Sequence, residues 1–181
     1  MRNLILALFV VVLAGCSFQP SKPEITHKYD EFVGMEAATV GPFEISRGIS
    51  WDISRGTQRT GEKAGESVFL LTLLRNGAVD TVGSSGWKYL DNNTMDLIVD
   101  GNSHQVGRGD HDGRAQRAGA GGVYVVEQVT YTLDADDLRV LTGGVDVLRG
   151  RIGRTEFELN DVQLEALNRF VETEVMPYAA L

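Results

Sequence analysis

The sequence VFLLTLL at residues 68–74 is the starting point for the fold that we predict for this chain. It is almost continuously apolar and is bounded by Gly65 and Gly77. A short apolar run between glycines is typical of a strand that is buried on both faces, and it is too short for a stable helix. We therefore expect residues 68–74 to form the centre of the core.

Apolar and polar residues alternate on either side of this run, as they do in strands with one buried face. The apolar positions are Ile49, Trp51 and Ile53 in one segment, Trp87 and Tyr89 in a second, and Met95, Leu97 and Val99 in a third. Asp100 and Gly101 follow the third segment and are a pair favoured in tight hairpin turns. Residues 55–66 are polar and glycine-containing, so we predict a loop there.

The segment 107–122 interrupts these patterns, because it contains no apolar residue larger than alanine. It predicts an exposed, glycine-rich loop. A long strand is predicted directly after it, with one apolar side. That side carries Val123, Val125, Val129, Tyr131 and Leu133. Glu127 is the one polar residue among them.

The last third of the chain predicts two helices, each beginning where a strand ends. Asp134 and Asn160 are good N-cap residues. Asp137 and Gln163 lie three residues further on, where their side chains can reach back to the cap. The glycine pair at 143–144 should end the first helix early.

The second helix is predicted over residues 161–175, with Pro177 beyond its end. Its apolar stripe consists of Leu164, Leu167, Phe170, Val171 and Val175. Between the helices, residues 145–152 and 155–159 predict a hairpin that turns at residues 153–154. These elements together predict an α+β fold: a mostly antiparallel β-sheet or sandwich, with a short helix and a longer C-terminal helix packed on it.

The first residues resemble a bacterial lipoprotein signal peptide. Arg2 gives a positive start, residues 4–13 are apolar, and residues 13–16 (LAGC) are similar to a lipobox. The apolar run is about ten residues long, against the roughly 20 that a membrane-spanning helix needs. The resemblance implies cleavage after residue 15 and lipidation of Cys16, the only cysteine. An ordinary secretory signal and a core helix are the alternatives.

Three parts follow from this resemblance and from the patterns after it. They are a removed signal peptide (1–15), a lipidated flexible tether (16–29) and a single globular domain (30–181). The resemblance implies attachment to a membrane of the bacterial cell envelope through the lipid on Cys16. In lipoproteins of bacteria with two membranes, an aspartate directly after the lipidated cysteine resembles a signal for retention in the inner membrane. This chain has Ser17 at that position, so in such a host the resemblance favours the outer membrane, facing the periplasm.

The charge balance narrows the range of partners. Lys and Arg number 17 and Asp and Glu number 25, for a net charge of −8. Loss of Arg2 with the signal peptide makes the mature chain more negative still. An acidic surface argues against nucleic acid as a partner and against electrostatic attachment to anionic lipid headgroups.

Two sets of candidate binding residues lie in the predicted loop. Asp110, His111 and Asp112 offer oxygen and nitrogen ligands for a divalent cation, but no second cluster accompanies them, and we expect no metal site. A second set of guanidinium groups, which suit the phosphate or carboxylate groups of an envelope polymer, comprises Arg108, Arg114 and Arg117. The alternative for the first set is a solvated polar loop, and the alternative for the arginines is a role in solubility.

No catalytic or cofactor-binding motif is recognisable in the sequence. Trp51 and Trp87 are expected to pack in the core, with stacking on sugar rings as the alternative. The sequence thus favours a non-catalytic binding or structural module for a protein or an envelope polymer. The alternative is an anchored periplasmic hydrolase that uses carboxylates with His104 or His111.

Overall fold

The computed structural model describes residues 22–78, 86–117 and 123–178. Within them the strands are β1 (Glu24–Asp30), β2 (Met35–Ser46), β3 (Ile49–Gln58), β4 (Ser67–Ala78), β5 (Thr94–Val99), β6 (Asn102–Arg108), β7 (Asp110–Arg117), β8 (Val123–Leu133), β9 (Leu148–Ile152) and β10 (Thr155–Glu158). The helices are α1 (Ala135–Arg139) and α2 (Asp161–Phe170), and α2 continues as a π-helical turn over Val171–Val175.

The strands form two antiparallel sheets, one of six strands in the order β1-β2-β3-β4-β8-β7 and one of four in the order β10-β9-β5-β6. Helix α2 packs against β1 and β2, while the smaller sheet approaches the larger one through β6 and β10. Buried side chains from both sheets and from α2 join in one apolar core. The predicted α+β fold with a long C-terminal helix is confirmed.

Strand β4 lies inside the larger sheet, between β3 and β8, and its buried residues belong to the core, as predicted for residues 68–74. The prediction that it is buried on both faces is wrong. Phe69, Leu71 and Leu73 are buried, but Val68 and Leu74, on the other face, are 40% and 38% exposed. Leu70 and Thr72, on this second face, are partly buried, so the strand fully buries only its alternate residues.

The predicted loop at 55–66 begins later than expected. Strand β3 continues to Gln58, and Arg55 and Thr57 occupy its buried face. Polar residues can extend a buried strand face only when their groups are bonded inside the protein, and both of these are. The alternation predicted for Ile49, Trp51 and Ile53 is confirmed.

Trp87 and Tyr89 do not lie on a strand, contrary to prediction. Residues 86–93 form bends and connect the larger sheet to β5. The backbone N–H groups of Lys88 and Tyr89 donate to the side chain of Glu127 rather than to a neighbouring strand. Strand β5 and its turn at Asp100 and Gly101, where both residues have positive φ, are confirmed.

The segment predicted as a loop at 107–122 contains a strand. Strand β7 pairs with β8 over the whole length of β7, from Asp110 opposite Thr130 to Arg117 opposite Val123. Backbone hydrogen bonds are sufficient to hold a strand at the edge of a sheet, so apolar side chains are not required. The predicted exposure is confirmed for most of β7, and residues 118–122 lie outside the described residues.

Both predicted helix starts are confirmed. Asp134 and Asp137, and likewise Asn160 and Gln163, each form a reciprocal capping box. All five residues of the predicted apolar stripe of the C-terminal helix are buried.

The prediction that residues 16–29 form a flexible tether is wrong for residues 24–29. Residues 24–29 belong to β1, which pairs with β2 throughout, and Lys22 bonds to Glu165 on α2. Ordered structure therefore begins before residue 30. Cys16, the predicted lipidation site, lies outside the described residues.

Candidate functional site

Glu127 is the centre of a buried polar cluster. It is fully buried on the inner face of β8, where the sequence pattern marked it as the one polar position. Arg75, from β4, donates from Nη1 to Glu127 Oε2 at 2.6 Å. The N–H groups of Lys88 and Tyr89 donate to the carboxylate at 2.8–3.0 Å. One carboxylate thus holds the segment 86–93 against the larger sheet.

His111, on edge strand β7, completes this cluster. Its Nε2 lies 3.3 Å from Glu127 Oε1, and its ring meets Trp87 edge to face at 5.9 Å. Burial by itself raises the pKa of Glu127. The hydrogen bonds from Tyr89, Lys88, Arg75 and His111 outweigh burial, and the pKa of this carboxyl lies below its ordinary value. Glu127 is accordingly an anion held by its donors.

The Glu127 carboxylate has a structural role: its oxygens accept hydrogen bonds from Arg75 and from the backbone of residues 88 and 89, and so connect the larger sheet to the segment 86–93. A general base needs a substrate proton within reach, and a nucleophile needs a base bonded to it. Among the described residues no hydroxyl donates to His111 or to His104. His104, on β6, lies 2.6 Å from Asp137 of α1 and joins those two elements. Within the described ranges each histidine is thus bonded to a carboxylate and not to a hydroxyl group.

The predicted cation ligands are not brought together. Along β7 the side chains alternate, so that His111 faces inward to Glu127 while Asp110 and Asp112 are exposed on the other face. Across the described ranges, no group of three or more His, Cys, Asp or Glu side chains could hold a metal ion.

The predicted arginine set is dispersed as well. Arg108 ends β6, while Arg114 and Arg117 lie on β7 at positions of opposite parity, and all three are exposed. Gly109, between the two strands, is buried, and its carbonyl accepts from Asn93 Nδ2.

A second buried cluster was missed by sequence reasoning. Arg55 is fully buried, and its guanidinium donates to Glu174 Oε2 from Nε (3.2 Å) and Nη2 (2.8 Å), to Thr57 Oγ1 and to Glu36 Oε1 (3.2 Å). The ring of Tyr178 covers it at 3.9 Å. The only available signal was that Arg55 continues the alternation of residues 49–53.

This second cluster holds the π-helical turn against the larger sheet. Arg59 and then Arg55 donate to Glu36 and keep the pKa of that carboxyl below its ordinary value. The guanidinium of Arg55 is enclosed by these partners, so it is a packing element rather than a ligand-binding group.

A cleft of about 350 Å³ opens beside the Glu127 cluster. It lies between the segment 87–92 and the turn from β9 to β10. Its walls are Trp87, Lys88, Leu90, Asp91, Asn92 and Arg154. Partial burial, and then the charge of Arg75, lower the pKa of Lys88, while Glu127 acts in the opposite direction. The expectation of core packing is confirmed for Trp51, which is 3% exposed, whereas Trp87 is half-buried at this cleft.

Two larger grooves are less suitable for binding a ligand, because polar groups in their walls already bond within the protein. One, of about 880 Å³ at the start of α2, is lined by Gln163, whose amide already donates to the carbonyl of Glu44. The other, of about 780 Å³ on the smaller sheet, is crossed by two ion pairs. They are Arg149–Glu158 and Arg151–Asp96.

The β1–β2 hairpin ends in an exposed apolar tip, by which we mean Tyr29, Phe32, Val33 and Met35. Phe32 is fully exposed, and Tyr29 and Val33 are more than half exposed. Asp30 Oδ1 accepts the N–H groups of Phe32 and Val33 at 2.9 and 3.3 Å, and these hydrogen bonds stabilise the turn.

Comparisons with known proteins give no relative for this chain: no protein-family model, curated protein or solved structure matches it. In the part of the chain that the structure describes, no helix has the length and apolar character needed to cross a membrane.

Proposed function

We propose that this chain is a lipid-anchored protein of the bacterial cell envelope that binds a partner protein and does not catalyse a reaction. The lipobox-like residues 13–16 support the anchor at Cys16. The observation that carries the binding role is the apolar tip, with the side chain of Phe32 fully exposed at its end.

An exposed apolar group of this kind is costly to leave in water and is typical of an interaction site. Tyr and Phe are also among the residues that contribute most to binding energy at interfaces. Because Asp30 already holds the turn, a partner would not have to order it, and less conformational entropy would be lost on binding.

The charges around the tip favour one kind of partner. Asp30 and Glu31 directly precede Phe32. An apolar socket rimmed by lysine or arginine would match this combination of an apolar end and acidic neighbours. An anionic lipid surface would repel it.

The position of the tip is compatible with the anchor. The chain from Cys16 to Lys22 can span at most about 20 Å, which would hold the domain close to the membrane. Strand β1 (Glu24–Asp30) then carries the chain roughly 20 Å further before the tip is reached. The tip can therefore face away from the membrane, where a periplasmic partner could reach it.

In vivo photocrosslinking of the full-length protein tests this proposal. A photoreactive residue at Val33 should give one discrete protein adduct, and Phe32→Ser should abolish it. Glu31→Lys should weaken the adduct, since it reverses charge beside the socket. Both changes are at exposed positions and should leave the thermal midpoint within a few degrees of the parent.

A photoreactive residue at Val162, which is 45% exposed on α2, is the matched control. It should not give the same adduct. An adduct that persists in Phe32→Ser, or that forms equally from Val162, would contradict the proposal.

A further inference from the structure

We infer that the cleft beside Trp87 is a binding site for a saccharide that carries a carboxylate group. This inference is independent of the proposed function, which depends on the anchor and the apolar tip. It rests on the walls of the cleft, on the fixed position of Trp87 and on the two cationic groups beside it.

The walls of the cleft are held in place before any ligand arrives. On one side, the Lys88 and Tyr89 N–H groups are bonded to Glu127. On the other side, Gly153 N donates to the carbonyl of Thr94 at 3.0 Å. Gly153 also lies so close to Asn92 that a Cβ atom there would come within 2.4 Å of the Asn92 carbonyl oxygen. A pre-formed cleft loses little conformational entropy on binding.

Trp87 is fixed by its neighbours along one edge. A Cβ atom at Gly113 would come within 2.3 Å of Trp87 Cζ3, so the indole packs directly on the backbone of β7. His111 contacts the same ring edge to face. The rest of the half-buried indole lines the cleft. A fixed aromatic ring at a cleft suits the apolar C–H face of a sugar ring, which stacks without needing a hydrogen-bond partner.

The polar groups of the cleft indicate that the ligand carries a carboxylate and hydroxyl groups. Among the described residues, the ion pairs within 4.0 Å include neither Lys88 nor Arg154. The planar guanidinium of Arg154 suits a carboxylate. Asp91 and Asn92 can accept and donate hydrogen bonds to hydroxyl groups. An acidic sugar therefore fits the cleft better than a neutral sugar.

Binding can be measured on the full-length protein in detergent with two matched probes, trigalacturonic acid and the neutral galactotriose. Calorimetry gives the affinity, and tryptophan emission reports the site. The chain has two tryptophans, and Trp51 is buried, so a change of emission would come from Trp87. We expect the acidic trisaccharide to bind about tenfold or more tightly than the neutral one, because the neutral probe has no carboxylate to form a charge-assisted hydrogen bond in the cleft.

Two variants locate the site. Trp87→Ala should weaken binding of trigalacturonic acid about tenfold or more through loss of stacking. Arg154→Gln should weaken binding of trigalacturonic acid by a similar factor and leave the affinity for galactotriose unchanged. Arg154 is exposed on a turn, so this variant should fold even if Trp87→Ala does not. Arg47→Gln, an exposed arginine outside the cleft, is the matched control and should bind as the parent does.

Each other outcome would overturn the inference. Absence of saturable binding at millimolar probe would exclude the saccharide. Equal affinity for the two trisaccharides would exclude the carboxylate as the recognised group. Undiminished binding in Arg154→Gln, or an equal loss in Arg47→Gln, would place any binding elsewhere on the protein.

Discussion

At the scale of single residues, two buried charges organise the molecule. Glu127 and Arg55 each occupy the apolar face of a strand, and neither is exposed to solvent. A buried charge is tolerated only when it is paired and its hydrogen-bonding groups are satisfied. Glu127 meets this condition with backbone and side-chain donors, and Arg55 meets it with carboxylates and a threonine hydroxyl.

Glu127→Gln should reduce stability at neutral pH and should do so less in acid. The pKa of Glu127 is lowered in the folded state, so its stabilising effect is present above the unfolded pKa of about 4.3 and is lost as pH falls through the folded pKa. We expect a loss of about 1–3 kcal/mol at pH 7. Urea unfolding between pH 7 and pH 3 measures it. A stability difference that stays constant down to pH 3 would contradict this account.

The residues predicted as cation ligands give a second test at this scale. Asp110 and Asp112 are exposed on one face of β7, and His111 faces inward to Glu127. We therefore expect no divalent cation to bind at micromolar affinity, because two carboxylates alone provide too few ligands. Calorimetric titration with zinc, manganese and calcium measures this. Stoichiometric heat that disappears in an Asp110→Ala, Asp112→Ala double variant would show the expectation to be wrong.

At the scale of elements, the C-terminal helix closes the core through one apolar face. Leu167 and Phe170 are fully buried beneath it, whereas Glu165 is exposed. Phe170→Ala should cost about 3–5 kcal/mol and Leu167→Ala about 2–5 kcal/mol, the range for large-to-small changes in a core. Glu165→Ala should cost about 0.5 kcal/mol or less. Denaturant unfolding distinguishes these values, and three equal values would mean that the helix does not pack as described.

The π-helical turn after α2 is attached by charge as well as by packing. Arg55→Met would leave Glu174 buried without the cation that donates to it, at a cost of about 3–5 kcal/mol. Replacing both residues, as in Arg55→Met with Glu174→Leu, should cost less than the single change, because no buried charge then remains unpaired. Unfolding of the two variants measures the difference. A double variant less stable than the single one would contradict this explanation.

At the scale of the whole molecule, this acidic protein has two separate surfaces that we propose as binding sites. The apolar tip lies at the turn between β1 and β2, and the Trp87 cleft lies at the turn between β9 and β10. The two surfaces share no residue. Variants at Phe32 and at Arg154 can therefore test the protein partner and the saccharide independently.

Removal of the proposed anchor should change where the whole molecule is found. Cys16→Ser should leave the protein either uncleaved or released from the membrane after export, and the mature chain should lose its acyl mass. One lipid chain gives only marginal membrane binding, and two or three give a stable anchor. Detergent-phase partitioning and mass spectrometry of the exported chain measure this. A cleaved serine variant that partitions like the parent would contradict lipidation.

Structural features that depend on residues close together in the sequence could be predicted, and features that depend on distant residues could not. The caps at Asp134 and Asn160 and the apolar stripe of α2 depend on residues three or four apart, so they could be predicted from the sequence. The alternation in β3, β5 and β8 was equally local. Glu127 could be identified as an exception on an apolar face, but its donors could not.

Local periodicity and capping chemistry encode the fold class, the helix starts and the positions of six strands, so these could be predicted from the amino-acid sequence. The six strands are β3, β4, β5, β8, β9 and β10. The folded structure was needed to show that residues 24–29 and 110–117 form edge strands, since their pairing is made by backbone groups that every sequence carries. It also decided the partner of Arg55, which lies 119 positions away in Glu174. The chain must fold before such groups meet, and no local pattern records which of them will.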